Sequence, residues 1–472
     1  MSFTLTFGQE GNCATAQVVW SVNGETYNFR SDNNFVAWIS TIFTVADVVA
    51  GTIPPPPPDY RLLRPYPATD DGGGTGNTGA GLDALLSLTT GITNSAFGYL
   101  ALTTNTNGNN NSAFGALSLQ NNLDGALNSA FGVFALRYNT SGSQNSAFGE
   151  SSLLNNTIGN YNSAFGSSAL KNNIDGVSNS AFGYNALNAN TSGNYNCAFG
   201  ILSLLSNVGG TFNCAFGYGS LQSNDALSNC AFGYSTLNAN TNGNYNCAFG
   251  DTALQSNTIG DYNCAFGQGA LNKNTTALGN SAFGAISLNK NIIGTGNSAF
   301  GYASLRFNLG SSNSAFGYNA LVLNTTGIQN VAVGLGALSA NTTTNNSTAI
   351  GYNALSSCIG GNNTAIGALA GNAITGGPDN VIVGSSAGSA ITGGQSNTIL
   401  GRSANVTGGG RNFCVVIGRS ATSPAVDGSL SIGGTAGNAM GNLVLGTAGA
   451  LTGTFLNIYL NGTQYKIALL NP

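Results

Sequence analysis

Five cysteines, Cys197, Cys214, Cys230, Cys247 and Cys264, recur at intervals of 17 or 16 residues. Thiols at regular spacing could form disulfides or hold a metal, and the spacing has to be weighed against each chemistry. Every one stands in the frame Asn-Cys-Ala-Phe-Gly, which elsewhere in the chain reads Asn-Ser-Ala-Phe-Gly. If each copy of the frame occupies its own coil of a repeating structure, the thiols form a column with one sulfur per coil. Coils about 4.8 Å apart fall within the Cα range of a disulfide, but parallel Cβ vectors aim the sulfurs poorly for that bond. The spacing matches no zinc pattern, and the chain has no His, the commonest partner ligand. The column therefore reads as small, buried, reduced residues standing in for Ser, with crosslinks within or between chains as the alternative.

Other chemistry is thinner. Without His, His-based triads and His general acid–base pairs are excluded. Asp124, Asp175, Asp225, Asp251 and Asp261 sit at differing positions of the repeat, as solvated carboxylates do and a glycosidase pair does not. No regular Asp supplies a glycine-rich calcium repeat. Charged residues are 6% of the chain and the net charge is −4, so no basic stripe exists to meet a phosphate backbone. Sequons at Asn139, Asn190 and Asn324 matter only where glycosylation machinery acts. Thr106, Thr140, Thr157, Thr191, Thr241 and Thr258 form a partial row of the kind ice-binding solenoids use, broken by Leu123, Ile174, Val208 and Asp225. No catalytic residue, cofactor or metal is expected, and the chain reads as a non-enzyme.

These residues are carried by one short unit. Asn-Ser-Ala-Phe-Gly at 94–98 returns at 111, 128, 145, 162 and 179 and runs on, with Cys or Ser second, to 313–317. A unit copied at a fixed short period contacts only its neighbours, so length adds reach rather than domains. Glycine recurs too often within each window for a helix. In an extended segment Ser95 and Phe97 share one face, Asn94 and Ala96 the other. Gly98 permits a turn, and a second short strand brings Leu102 back over a Phe layer. The predicted fold is all-β, a parallel β-solenoid (β-roll) of about 17-residue coils. Its expected core is Phe97, Phe114, Phe131, Phe148, Phe165, Phe182, Phe199, Phe216, Phe232, Phe249, Phe266, Phe283, Phe300 and Phe316, packed with Leu102, Leu119, Leu136 and their successors. Asn105, Asn122, Asn139 and Asn156 fall at a corner, where Asn tolerates left-handed geometry and can stack its amide on its copies. One coil cannot stand alone: ordering it costs roughly 17–34 kcal/mol of backbone entropy, against roughly 3–6 from burying one Phe and one Leu. Stacking must supply the difference, and partner chains are expected as well.

Five segments follow. Residues 1–52 read as a small α+β mounting or assembly domain: a strand at 3–7, a hairpin of 14–22 with 25–29, and a helix over 34–49. Residues 53–76 form a linker stiffened by Pro54 to Pro58. The Phe-core solenoid spans 77–329. Across 330–446 the unit keeps its phase while Val333, Ile350, Ile366, Val383, Leu400 and Ile417 replace Phe, predicting a narrower Ile/Val core. Residues 447–472 read as a C-terminal hairpin cap that turns at Asn461-Gly462. No secretory signal is visible at the start, and no stretch of about 18 apolar residues suggests membrane insertion.

At Asn363-Thr-Ala-Ile-Gly367, Asn346-Ser-Thr-Ala-Ile-Gly351 and Tyr352-Asn-Ala-Leu355 the sequence resembles the head repeats of trimeric autotransporter adhesins. It is equally similar to the repeats of phage and large-virus fibre proteins. The resemblance covers residues 77 to 446. It implies a homotrimeric β-roll with a fibre or adhesive role, although the unit is longer than the usual adhesin head repeat and no stalk coiled coil or anchor barrel follows. The expected function is a structural fibre or appendage used for attachment, on a virion surface or as an extracellular filament. Expected partners are further copies of the chain, a virion or surface mounting protein through residues 1–76, and a host receptor or glycan. A self-polymerising filament or adhesin is the alternative, and an ice- or glycan-binding solenoid a third reading.

Overall fold

The computed structural model describes residues 2–10, 13–22, 25–31, 75–423, 425–433, 443–444, 454–460 and 463–469. The chain divides into two units, Met1–Glu150 and Ser151–Pro472. In the first, β1 (Ser2–Glu10), β2 (Cys13–Val22) and β3 (Glu25–Ser31) form an antiparallel sheet in that order. The helix expected over 34–49 and most of the linker lie outside the described residues. Next come five strands of three residues, β4 (Thr78–Ala80) to β8 (Ser146–Phe148). Within the second unit β9 (Ser163–Phe165) to β25 (Leu430–Ile432) continue the pattern. In each unit successive short strands pair in parallel and in register, as Ser95 with Ser112 and Phe182 with Phe199. The described residues are all-β, a parallel β-solenoid of about 17 residues per coil with no helix. β26 (Leu443–Val444) pairs antiparallel with β25, and β27 (Thr454–Leu460) pairs antiparallel with β28 (Thr463–Leu469).

One coil shows why the sequence closes on itself. Ser180, Ala181 and Phe182 are extended, and Gly183 turns the chain at φ +138°, a conformation open to glycine alone in practice. A Cβ there would meet the Gly200 carbonyl oxygen of the next coil at 2.6 Å. Asn185, Leu187 and Tyr195 then adopt left-handed geometry at φ 54°, 51° and 55°. Backbone N–H groups are spent on neighbouring coils: Ser180 donates to the Asn196 carbonyl of the next coil at 2.8 Å, Gly183 to Phe165 at 2.8 Å and Leu187 to Ser203 at 3.0 Å. For Leu187 the left-handed geometry costs about 1–2 kcal/mol. Complete burial of its side chain offsets that by about 1.5–3 kcal/mol.

The interior differs from the expected one. Leu102, Leu119 and Leu136 are fully buried, and so are Ala96, Ala113 and Ala130 of the strands. The Phe residues lie on the opposite face of each strand, half-buried, with Phe97 37% and Phe316 41% exposed. The coil is too narrow for a ring beside Leu, so Ala points in and Phe points out. The same correction applies after 330. Val333, Ile350, Ile366 and Ile417 occupy the outer column and are exposed. Inside, the Leu column becomes Gly371 and Gly388, while Ile374, Ile382, Ile391 and Ile399 are fully buried. Ile382 Cδ1 lies 2.9 Å from where a Cβ on Gly388 would stand, so bulk has moved to another position of the coil and the volume is kept.

Some coils have one residue fewer, and one corner shows how the gap is filled. In a 17-residue coil the N–H groups of Thr157, Ile158 and Gly159 converge on the Ile174 carbonyl at 3.0–3.3 Å. At Val208, Gly209 and Gly210 the acceptor is instead Asp225 Oδ1, at 2.9, 2.7 and 3.1 Å. A carboxylate has replaced a carbonyl. Asp225→Ala is expected to cost about 1–2 kcal/mol and to raise amide exchange at 208–210; unchanged exchange there would refute the assignment.

Candidate functional site

From Ser95–Phe97 to Ser314–Phe316 each short strand presents two residues outward, Phe and its partner Ser or Cys, and each builds a column. In the first unit the rings of Phe97, Phe114, Phe131 and Phe148 stack at 4.8, 4.7 and 4.7 Å with interplanar angles of 12° or less. From Phe165 to Phe316 in the second unit successive rings stack at 4.4–4.9 Å. In-register pairing forces this geometry, because one rotamer repeated at the strand spacing lays ring on ring. The faces are consumed within the chain, and the edges point away from it. Such a column is a continuous apolar ridge, larger than the scattered exposed residues of an ordinary surface.

Beside it runs the thiol column. Cys197, Cys214, Cys230, Cys247 and Cys264 pair strand to strand in register. All five are free and, against the expectation of buried residues, half-buried on the outer face. Register pairing sets successive thiols side by side, one per coil. Donation from the S–H groups of Cys197 and Cys230 holds Cys214 well below the usual thiol range, and those two donors are pushed up by the same contact. Burial pushes Cys247 and Cys264 up.

Two buried amide ladders set the coil's edges. Asn122 Nδ2 donates to Asn105 Oδ1 at 2.6 Å and to the Gly125 carbonyl at 2.9 Å, and Asn139 repeats the contact to Asn122 at 2.7 Å. Asn156 is fully buried too, and accepts from Asn173 at 2.7 Å. None of the four has a positive φ; that geometry belongs to the Leu column and two other positions per coil. The second ladder, Asn94, Asn111 and Asn128, was visible in the repeat but was assigned no role. Each side-chain oxygen accepts the backbone N–H of the next Asn at 3.0 Å, satisfying a donor that strand pairing leaves over.

Sequence reasoning also missed an exposed aromatic row. Tyr195 stacks on Phe212 at 5.2 Å and Tyr245 on Tyr262 at 5.1 Å, each ring residue with positive φ and the last 62% exposed. The signal was the residue before the frame's Asn, as in Asn194-Tyr195-Asn196. Here too the rings cover each other's faces, which leaves little flat aromatic surface for a sugar to lie on.

Other candidate groups are occupied by the fold. Thr106, Thr157, Thr191, Thr241 and Thr258 donate their hydroxyls to carbonyls of the next coil at 3.0–3.2 Å. The sequon residues Asn139, Asn190 and Asn324 are fully buried, with Nδ2, the atom a glycan would take, engaged in hydrogen bonds. Asp261 Oδ1 accepts the Asn244 N–H at 2.7 Å. Among the described residues no three of His, Cys, Asp or Glu converge on a point, and no helix is long and apolar enough to cross a membrane. Compared with known proteins, the chain matches no family model, no curated protein and no solved structure.

Proposed function

We propose that the chain is a structural fibre or appendage protein whose solenoid associates with further copies, three around one axis, through the outer Phe column. Residues 1–76 are its mounting segment, and the hairpin near the C-terminus closes the far end. Attachment to a host receptor or glycan on behalf of a virion or surface filament is the role that suits such a shaft. The supporting observation is the column of half-exposed rings repeated at one strand spacing. A second copy carries the same column at the same spacing, so a contact made at one coil recurs at every coil. Few charges oppose such packing in a chain with 6% charged residues.

Covering each ring's exposed edge is worth about 1 kcal/mol. Changing Phe199, Phe216 and Phe232 together to Ser is therefore expected to weaken association about 100-fold, with coil structure retained by circular dichroism. The primary measurement is mass in solution. A discrete trimer is expected; open polymers would favour the self-polymerising filament, and a monomer at micromolar concentration would refute the proposal.

A further inference from the structure

We propose that the thiol column from Cys197 to Cys264 is a binding site for a soft, two-coordinate d10 cation such as Cu(I), each ion bridging the cysteines of adjacent coils. The geometry is that of a linear bis-thiolate. A thiolate bond to four-coordinate zinc is about 2.3 Å and a two-coordinate bond is shorter, so a straight S–metal–S unit spans roughly 4–4.6 Å, close to the coil spacing. In-register residues repeat at the coil spacing, which the neighbouring rings measure as 4.7, 4.6, 4.6 and 4.7 Å from Phe199 to Phe266. In-register pairing stands successive cysteines one above the next on the same outer face, so each neighbouring pair flanks one gap between coils.

Soft thiolate ligands select Cu(I) over hard ions. The absence of any three-residue cluster among the described residues removes a tetrahedral chelate, and with it a structural zinc site, but not a digonal one. Two features favour the column over unrelated free cysteines. The five thiols are consecutive, with no Ser between them, and they sit half-buried on a regular sheet rather than on separate loops. Binding one Cu(I) releases two protons to solvent and forms two S–Cu bonds, with no change of oxidation state. Five thiols hold two such ions and leave one sulfur over. The proposal rests on coil geometry and stands apart from how copies associate.

The test uses Cu(I) itself, supplied anaerobically as a coloured chelator complex to the full chain, with uptake read from loss of colour. Ser occupies this position in other coils, at Ser180 and Ser281 for example, so Cys→Ser variants keep a native residue type. A variant with all five changed to Ser sets the baseline for cysteines elsewhere. The unaltered chain is expected to take up two more ions than this baseline. Cys197→Ser with Cys264→Ser leaves three adjacent thiols and should take up one. Cys214→Ser with Cys247→Ser also leaves three thiols, but none on adjacent coils, and should take up none. Equal uptake by the two double variants would show independent thiols and overturn the proposal. So would a chain that matches its all-Ser baseline.

Discussion

Changing Asn190 to Asp, one atom different in shape, is expected to destabilise the solenoid by about 3–5 kcal/mol. Asn190 is fully buried; its Nδ2 donates to Asn173 Oδ1 at 2.7 Å and to the Gly193 carbonyl at 3.0 Å. Asp puts an acceptor where both donors were, so a buried carboxylate oxygen faces two oxygens that have lost their partners. Only the bond from Asn207 Nδ2, at 3.0 Å, survives. Because each rung shares its amide with the rungs on either side, the damage spreads to both neighbouring coils, as in a chain of nearest-neighbour interactions. Denaturant unfolding with amide exchange over residues 173–210 measures it. A loss below about 1 kcal/mol, the net worth of an ordinary hydrogen bond, would mean the ladder is incidental.

Gly183→Ala is expected to be nearly as damaging, at about 3 kcal/mol, from a φ that L-residues rarely hold and from steric overlap. The added Cβ would stand 2.6 Å from the oxygen and 2.7 Å from the carbon of the Gly200 carbonyl. That carbonyl cannot retreat freely, since it accepts the Ser203 hydroxyl at 2.9 Å. Asn185→Gly is the control. Asn185 lies two residues on, at φ 54°, and Gly219 holds the equivalent place two coils later at φ 59°, so this change should stay within about 0.5 kcal/mol. Thermal unfolding of the two variants side by side decides the matter; equal stability would refute the close-approach account.

Much of the coil was legible because the period is written in residues that tolerate few alternatives. The alternation of Asn94 and Ala96 against Ser95 and Phe97 was readable from strand geometry, and Leu102 stood out as the regular apolar residue of the second half. Assigning the interior to Phe followed hydrophobicity, and the structure reverses it. Ala and Leu fill the coil, while Phe obtains its apolar contact sideways, ring against ring. The Asn105 column was noticed for its regularity; its lack of left-handed geometry was not readable, because three other positions absorb the turns. The thiol column was legible as a column on the Phe side of the strand; that this side faces outward was not.

The sequence by itself determined the repeat, its register and its strand-forming segments, since a 17-residue unit with glycine at fixed places can satisfy its backbone groups only by stacking on its copies. Which face of each strand points inward was decided by tertiary structure. Interior room is set by how tightly the whole coil closes, a property of all its turns and their neighbours together, and that room admits Ala and Leu but not Phe.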